Sequence, residues 1–491
     1  MDRTAIVETV TADSMAELID RRDQVIDADM VELRLDGVRG LDVAAALQAR
    51  KRPTIVTCRP VWEGGRWEGD EAGRRRIFAE AVSAGADYID IERRAGWLPD
   101  IRGNKTRIVI SDHDFTATPT DIVERLRQMR RAGGDVLKLA VTTSTLPDVC
   151  RLKAAVAAAR LDVPIAVIGM GECGQVTRMV PSRFGSCWTY AGTAAPGQLP
   201  TRRLRDWYRV GDVSETTMVY GVAGLPLAHS ASPAMHNAAL RAAGIDAVYV
   251  PLPAGSVGDV ASAAAALEVC GLSVTAPLKT GWLSRPDVDA DDEPARQLGV
   301  INTLKRAEGR WAARNFDVAG FIDGFNGPAR RSLDEGGFQG RRALVIGAGG
   351  AAQMAAWALS QCGMSVSITA RRMEAAGEAA QRLGVTTVAW PPTGAWDLLV
   401  HATPVGTWPQ VDAKVLSPEA LEARVVYDMV YNPEETTLLT AFRSRGAVTI
   451  GGLEMLVGQA ARQFEWWHGR PADRQVMRDA ARAFVGEMTR S

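Results

Sequence analysis

Residues 195–221 read APGQLPTRRLRDWYRVGDVSETTMVYG, and the chain follows a different plan on either side of them. Pro196, Gly197 and Pro200 interrupt regular structure, a basic amphipathic run follows, and the polar GDVSETT closes the stretch, as a domain boundary does. Before this seam short strand-like segments alternate with helical ones. After it come two Gly-rich turns and a dinucleotide-type fingerprint. A length of 491 residues is too much for one core, so about two to four domains are expected.

A formal net charge of -1, with 23% charged residues, offers no excess positive charge to nucleic acid or to an anionic membrane. Neither is expected as a partner; small molecules are. The cluster Arg202, Arg203, Arg205 and Arg209 reads as a solvated helix face. Six cysteines form no CxxC pair, and Cys58, Cys150 and Cys270 lie in apolar segments, as reduced core residues do. Five histidines form no HExxH pattern, so no protein-built metal site is expected. No apolar run reaches membrane-spanning length, and the first strand begins at Thr4, leaving no room for a leader. A cytoplasmic location is the expectation.

Eight β-rich segments precede the seam: TAIVETV, MVELRLD, PTIVTCR, YIDIE, RIVISDH, DVLKLAV, PIAVIGM and CWTYA. Most are separated by helical patterns such as GRRRIFAEAVSAG and TDIVERLRQMRRAG. Eight such units predict a small (β/α)8 barrel, with active-site groups at the C-terminal strand ends. Side chains two apart share a strand face. Val31, Leu33 and Leu35 therefore face the helices while Glu32 and Arg34 face inward. By the same alternation Arg59, Ser111, His113 and Lys138 point into the barrel. An ion-pair layer is the alternative reading for Glu32 and Arg34. Lys138 has apolar neighbours, and an unpaired buried ammonium costs several kcal/mol or gives up its proton. A neutral lysine attacks ketones to form an imine, whose protonated form is an electron sink. His113 on the neighbouring strand is placed to move protons.

These residues resemble type I 3-dehydroquinate dehydratase over nearly all of residues 1–200: ELRLD, TCR followed by Glu63, SDHDF, VLKLAV, MGECGQVTR, FGSCWTY and AAPGQ occur in the family order. The resemblance implies that Lys138 forms a Schiff base with the substrate ketone and that His113 removes the adjacent proton, then assists loss of water and imine hydrolysis. It implies that Arg178 clamps the substrate carboxylate. Glu32, Arg34, Arg59 and Glu63 would meet ring hydroxyls or hold the catalytic pair, and Gln198 would sit on a substrate-covering loop. Ala194 stands where some members carry serine. With Gln198 assigned to the barrel, the linker narrows to residues 207–217.

Beyond the seam, YGVAGLPLAHSASPAMHNAAL reads as a strand, a turn and a helix whose start is flanked by Ser230 and Ser232, with Pro233 as its first residue. GLSVTAPLKT follows, with Ser273 and Thr275 on one face and Lys279 in the turn; Asn302 and Asp317 are expected in loops. GRRALVIGAGGAAQMAAWAL is an apolar strand, then Gly347, Gly349 and Ala352 in dinucleotide-binding spacing, then a helix whose N-terminus can receive a pyrophosphate. The next strand, SVSITARR, ends in Arg371 and Arg372 where an acidic residue would grip a ribose 2′-hydroxyl, so NADP is favoured over NAD.

This half resembles shikimate dehydrogenase over about residues 218–491, through GLPLAHSASPAMHN, GLSVTAPLK, VINTL, NFDVAGF, VIGAGGAA, HATPVG, YDMVYNPEETTLL and GGLEMLVGQAARQF. The resemblance implies that Ser230, Ser232, Thr275, Asn302, Tyr431 and Gln459 bind substrate and that Lys279 and Asp317 form the acid/base pair. NADP(H) would be held by Gly347, Ala348, Gly349, Gly350, Ala351, Arg371, Arg372, Thr403, Met429 and Gly452. Phe316, Ala370 and His401 depart from the threonine and two asparagines of the usual pattern.

The expected architecture is a barrel over 1–210, a substrate-binding domain over 218–325 plus 452–491, and a Rossmann-like NADP domain over 326–451. The expected activity is dehydration of 3-dehydroquinate followed by NADPH-dependent reduction of 3-dehydroshikimate to shikimate, without metal. Two rivals are a quinate-specific second half and a ligand-sensing regulator lacking catalysis. The second of these should have lost some of Lys138, His113, Lys279 or Asp317, and all four are present.

Overall fold

The computed structural model describes residues 3–99, 105–192, 197–325 and 337–489. Ala194 and the start of the NADP domain at 326 lie outside them. The chain divides into two compact units: residues 1–227 with 246–272 and 276–278, and residues 228–245 with 273–275 and 279–491.

The first unit contains all eight expected strands: β1 (Ala5–Thr11), β2 (Met30–Arg34), β3 (Thr54–Thr57), β4 (Tyr88–Glu92), β5 (Arg107–Asp114), β6 (Val136–Thr142), β7 (Ile165–Met170) and β8 (Trp188–Ala191). From β1 to β7 each strand pairs in parallel with the next, and β1 also pairs with β8. Between β7 and β8 the described contact is a bridge, Ile165 to Ser186, so the barrel is nearly closed. Helices Glu71–Ser83 and Leu146–Ala159 fall where the pattern put them, started by Asp70 and by a Thr145/Asp148 capping box. After β4 only a short 3-10 turn, Arg93–Ala95, is described, and β7 leads to the one-turn helix Val176–Met179.

Period-two alternation sorts the barrel interior into layers. Val7, Met30, Ile55, Tyr88, Val109, Val136, Ala166 and Trp188 make an apolar floor. Two residues further along the strands stand Thr9, Glu32, Thr57, Asp90, Ser111 and Lys138. A dry floor under a charged layer lets the charges interact with little screening.

The seam is packed. Thr201 donates to Glu8 Oε2 at 2.6 Å, Leu204, Tyr208, Val210 and Val213 are buried, and Arg202 keeps the expected exposure. Its apolar residues, read as part of a basic run, supply this anchoring. Three further strands belong to the first unit in whole or part: β9 (Met218–Gly224), β10 (Ala247–Pro253) and β11 (Val269–Val274), in the order β10-β9-β11.

The second unit carries β12 (Val288–Ala290), β13 (Thr303–Ala307) and β14 (Arg310–Arg314), ordered β13-β14-β12. It also carries a six-stranded parallel sheet of β15 (Arg342–Ile346), β16 (Ser365–Thr369), β17 (Thr386–Thr387), β18 (Gly394–His401), β19 (Leu421–Asp428) and β20 (Val448–Ile450). Its order, β17-β16-β15-β18-β19-β20, is the doubly wound Rossmann arrangement, which reverses direction between β15 and β18 and opens a ligand crevice at their C-terminal ends. Helix Gly452–His468 is followed by Arg474–Met488. Among the described residues no helix is long and apolar enough to cross a membrane.

Candidate active sites

The charged layer of the barrel surrounds a cavity of about 190 Å³ lined by Glu32, Arg34, Arg59, Glu63, His113, Lys138, Arg178 and Gln198. All eight expected residues of this half therefore converge. Lys138 Nζ donates to Glu32 Oε1 at 2.8 Å and to Asp90 Oδ2 at 3.0 Å, and lies 4.2 Å from the Tyr190 ring centre. The expectation of an unpaired ammonium is corrected here. Its carboxylate partners stand 106 and 48 residues away in the chain, beyond the reach of a local reading. Glu32 is itself held by Thr57 at 3.0 Å and Thr9 at 2.9 Å. Burial opposes ionisation of Asp90, but Arg59 and Lys138 hold it below the usual carboxylate range.

Arg59 donates to Glu92 at 2.7 Å and to Ser111 at 2.7 Å, and pairs with Asp90 at 3.0 Å. Glu92 is also gripped by the fully buried Arg74. Asp90 and Glu92 are site residues that the sequence reading passed over. The signal was present: YIDIE puts two carboxylates two apart on one strand face.

His113, near the end of β5, donates its backbone N–H to Glu63 Oε1 at 2.9 Å, and its Nδ1 lies 3.3 Å from the same oxygen. Burial, with Arg59 and Lys138 nearby, pushes the imidazole well below its ordinary range, so it is an unprotonated base at neutral pH. Burial raises Glu63 to about 7. Arg34 forms a bidentate pair with Asp36 at 2.8 and 2.9 Å. Arg178 donates to the Gly169 carbonyl at 2.5 Å, while its Nε is buried with no partner among the described residues. Burial pulls its pKa down to about 10. A buried guanidinium that lines a cavity and keeps an unmet donor is a candidate anion site.

In the second unit Lys279 donates to Asp317 Oδ2, and Asn302 Nδ2 donates to Asp317 Oδ1 at 2.9 Å. Asp317 lies in the first turn of helix Phe316–Asp323, begun by Asn315, rather than in the loop expected. That helix crosses Gly452–His468 closely, since a Cβ on Gly320 would stand 2.6 Å from Gln459 N. The crossing brings Gln459 Oε1 to 3.4 Å from Asn302 Nδ2. Phe316 lies against Trp466, ring centres 5.7 Å apart, and its N–H fixes Asn302 Oδ1 at 2.8 Å. Ser232 is the first residue of helix Ser232–Ala242, which has no side-chain cap, and Ser230 Oγ accepts from Ser232 N–H at 3.4 Å. Neither serine caps conventionally, and Pro233 is second, not first. Tyr431 donates to the His229 carbonyl at 3.0 Å, beside Ser230 in sequence, while Thr275 is half-buried just after β11.

The turn after β15 has the shape a dinucleotide needs. Gly347 has φ +126, and a Cβ there would stand 2.8 Å from the Ala402 carbonyl. A Cβ at Gly349 or Gly350 would meet nothing within 4 Å, so space lies open at the uncapped start of helix Gly350–Gln361. Ala348, whose carbonyl accepts from Gln353, and the exposed Ala351 flank that space. Arg371 and Arg372 follow β16 and are exposed. Thr403 follows β18 across the crevice; Met429 and the buried Gly452 meet at the end of β19, where a Cβ on Gly452 would lie 2.3 Å from the Met429 carbonyl. These residues fit a dinucleotide bearing an extra phosphate.

Comparison with known proteins matches residues 6–215 to the type I 3-dehydroquinase family, residues 222–304 to the shikimate dehydrogenase substrate binding domain, and residues 452–482 to the shikimate 5′-dehydrogenase C-terminal domain. The chain is 31% identical to the chloroplastic bifunctional 3-dehydroquinate dehydratase/shikimate dehydrogenase of Arabidopsis thaliana, over 96% of this chain and 83% of that protein. It is 34% identical to the NADP(+) shikimate dehydrogenase of Shouchella clausii, over 54% of this chain and 98% of that one. A solved structure of shikimate 5-dehydrogenase from Thermus thermophilus, in complex with NADP(H) and shikimate, matches at 31% identity and TM-score 0.48, covering 54% of this chain and 99% of that one.

Proposed function

The chain belongs to the bifunctional 3-dehydroquinate dehydratase/shikimate dehydrogenase family, and from that premise we propose how its residues divide the two reactions. The enzyme dehydrates 3-dehydroquinate and reduces 3-dehydroshikimate to shikimate with NADPH, two steps of the shikimate pathway. In domain terms the first reaction belongs to residues 1–210. The second belongs to 218–325 plus 452–491 for substrate and 326–451 for cofactor.

In the barrel, Arg178 pairs with the substrate carboxylate. Lys138 passes a proton to His113, the unprotonated base of the cavity, and the freed amine adds to the ketone. His113 returns that proton as the hydroxyl leaves as water, giving the iminium, with Glu32 and Asp90 flanking the nitrogen. His113, with Nδ1 turned to Glu63, uses Nε2 to take the proton beside the imine carbon, and the electron pair moves into the iminium. His113 then returns a proton to the departing hydroxyl, and water hydrolyses the imine to free Lys138. Arg34 and Arg59, fixed by Asp36 and by Asp90 with Glu92, hold ring hydroxyls, and Gln198 covers them. The observation that carries this reading is Lys138 between two carboxylates in one cavity with His113 and an under-bonded Arg178.

In the second half Ser230, Ser232, Thr275, Asn302, Tyr431 and Gln459 orient the substrate against Lys279 and Asp317. When bound, NADPH supplies a hydride. Lys279 supplies the proton that the carbonyl oxygen gains, and Asp317, steadied by Asn302, sets the ammonium's position. Arg371 and Arg372 hold the 2′-phosphate. A cytoplasmic location is part of the same proposal.

Borohydride reduction during turnover of 3-dehydroquinate tests the barrel assignment. Mass spectrometry should find one adduct on the peptide carrying Lys138, absent in Lys138→Ala. An adduct that persists in Lys138→Ala would overturn it.

A further inference from the structure

His401 ends β18 beside Asp428, its register neighbour at the end of β19. Both are buried to 1% exposure, and neither is used in the mechanism above. Nδ1 lies 2.8 Å from Asp428 Oδ1, which also accepts the Val430 N–H at 3.0 Å, while Oδ2 accepts the Thr436 hydroxyl at 2.6 Å. A carboxylate only accepts, so Nδ1 carries the ring proton. With one proton on the ring, Nε2 is an acceptor, and it lies 2.5 Å from Thr403 Oγ1. The threonine's hydroxyl proton therefore points inward, to His401, and its oxygen, which also accepts the Val405 N–H at 3.3 Å, keeps one acceptor position open.

The hydroxyl so oriented sits beside the fingerprint. Thr403 Cγ2 would be 3.2 Å from a Cβ on Gly347, the first glycine of the turn. We propose that His401 is a positioning residue for the cofactor: with Asp428 it locks Thr403 as an acceptor beside Gly347, so that the threonine receives a hydrogen-bond donor of the dinucleotide and turns away phosphate oxygen. The inference rests on the reading of the Thr403 loop as cofactor-binding.

A double-mutant cycle on the full chain tests it. His401→Phe and Thr403→Val should each raise the NADPH KM about tenfold, the scale of one lost hydrogen bond. The double variant should rise no further than either single one. Shikimate KM and dehydratase rate should stay within about twofold. His401→Gln, whose amide oxygen can stand near the Nε2 position, should remain within about threefold of wild type. Effects that multiply to about a hundredfold, or an unchanged KM in His401→Phe beside a raised one in Thr403→Val, would overturn the proposal. Should His401→Phe not fold, a tenfold rise in His401→Gln with shikimate KM intact would count against it equally. An unchanged KM in Thr403→Val would instead remove the cofactor reading of the loop.

Discussion

A carboxylate at Glu63 is costlier in the folded chain than in the unfolded one, because burial raises its pKa from 4.5 to about 7. Below 4.5 both states hold the proton and the residue is neutral to stability. Between 4.5 and 7 the unfolded chain releases it first, so stability falls as pH rises, and above 7 the full penalty of up to about 3 kcal/mol is present. Glu63→Gln, whose amide oxygen can still accept the His113 N–H, should match wild type at pH 4.5 and exceed it by about 1–3 kcal/mol at pH 8. Urea unfolding of the barrel at both pH values reads this; an equal difference at both would show that the carboxylate carries no such strain. Much at this scale was legible in the sequence. Strand alternation has a period of two, so Glu32, Arg34, Arg59, His113 and Lys138 could be turned inward from the pattern alone. Which carboxylates meet Lys138 could not be read, since Glu32 and Asp90 reach it only through barrel closure.

Two helices set the dehydrogenase site through a contact that glycine alone permits. Gly320 on Phe316–Asp323 packs against Gln459 of Gly452–His468, and a Cβ on Gly458 would likewise lie 3.1 Å from Gly320 Cα. Gly320→Ala must push the helices apart and draw Gln459 away from Asn302, at an overpacking cost of about 1–3 kcal/mol. The expected result is a shikimate KM raised at least about tenfold, with NADPH KM and dehydratase rate nearly unchanged. Equal loss of shikimate and NADPH binding would show that the crossing holds the whole unit and not the substrate site. Sequence placed both residues near the site, through NFDVAGF and GGLEMLVGQ, but not their contact. Asp317 was expected in a loop because the NF and VAGF that flank it carry no clear helical period, and only the Asn315 cap reveals the helix. In the seam, arginines mask Leu204, Tyr208 and Val210, whose burial the sequence reading did not draw.

Across the whole molecule the two chemistries need different lysines. In the proposed mechanism Lys138 turns from ammonium to nucleophile to iminium, and it sits deep in a barrel between two carboxylates that favour its charged forms. In the same proposal Lys279 gives a proton to an oxygen, and it sits half-buried on a loop with Asp317. The barrel and the Rossmann sheet were legible because βα alternation and the glycine spacing are local signals. Their orders in space follow from parallel pairing with right-handed crossovers. NADPH oxidation started with 3-dehydroquinate tests the account most directly, because it registers only when both lysines work in sequence. Wild type should consume NADPH from either 3-dehydroquinate or 3-dehydroshikimate; Lys138→Ala should consume it only from 3-dehydroshikimate, and Lys279→Ala should turn 3-dehydroquinate into accumulating 3-dehydroshikimate with NADPH nearly untouched. Sustained NADPH oxidation from 3-dehydroquinate in Lys138→Ala would contradict it.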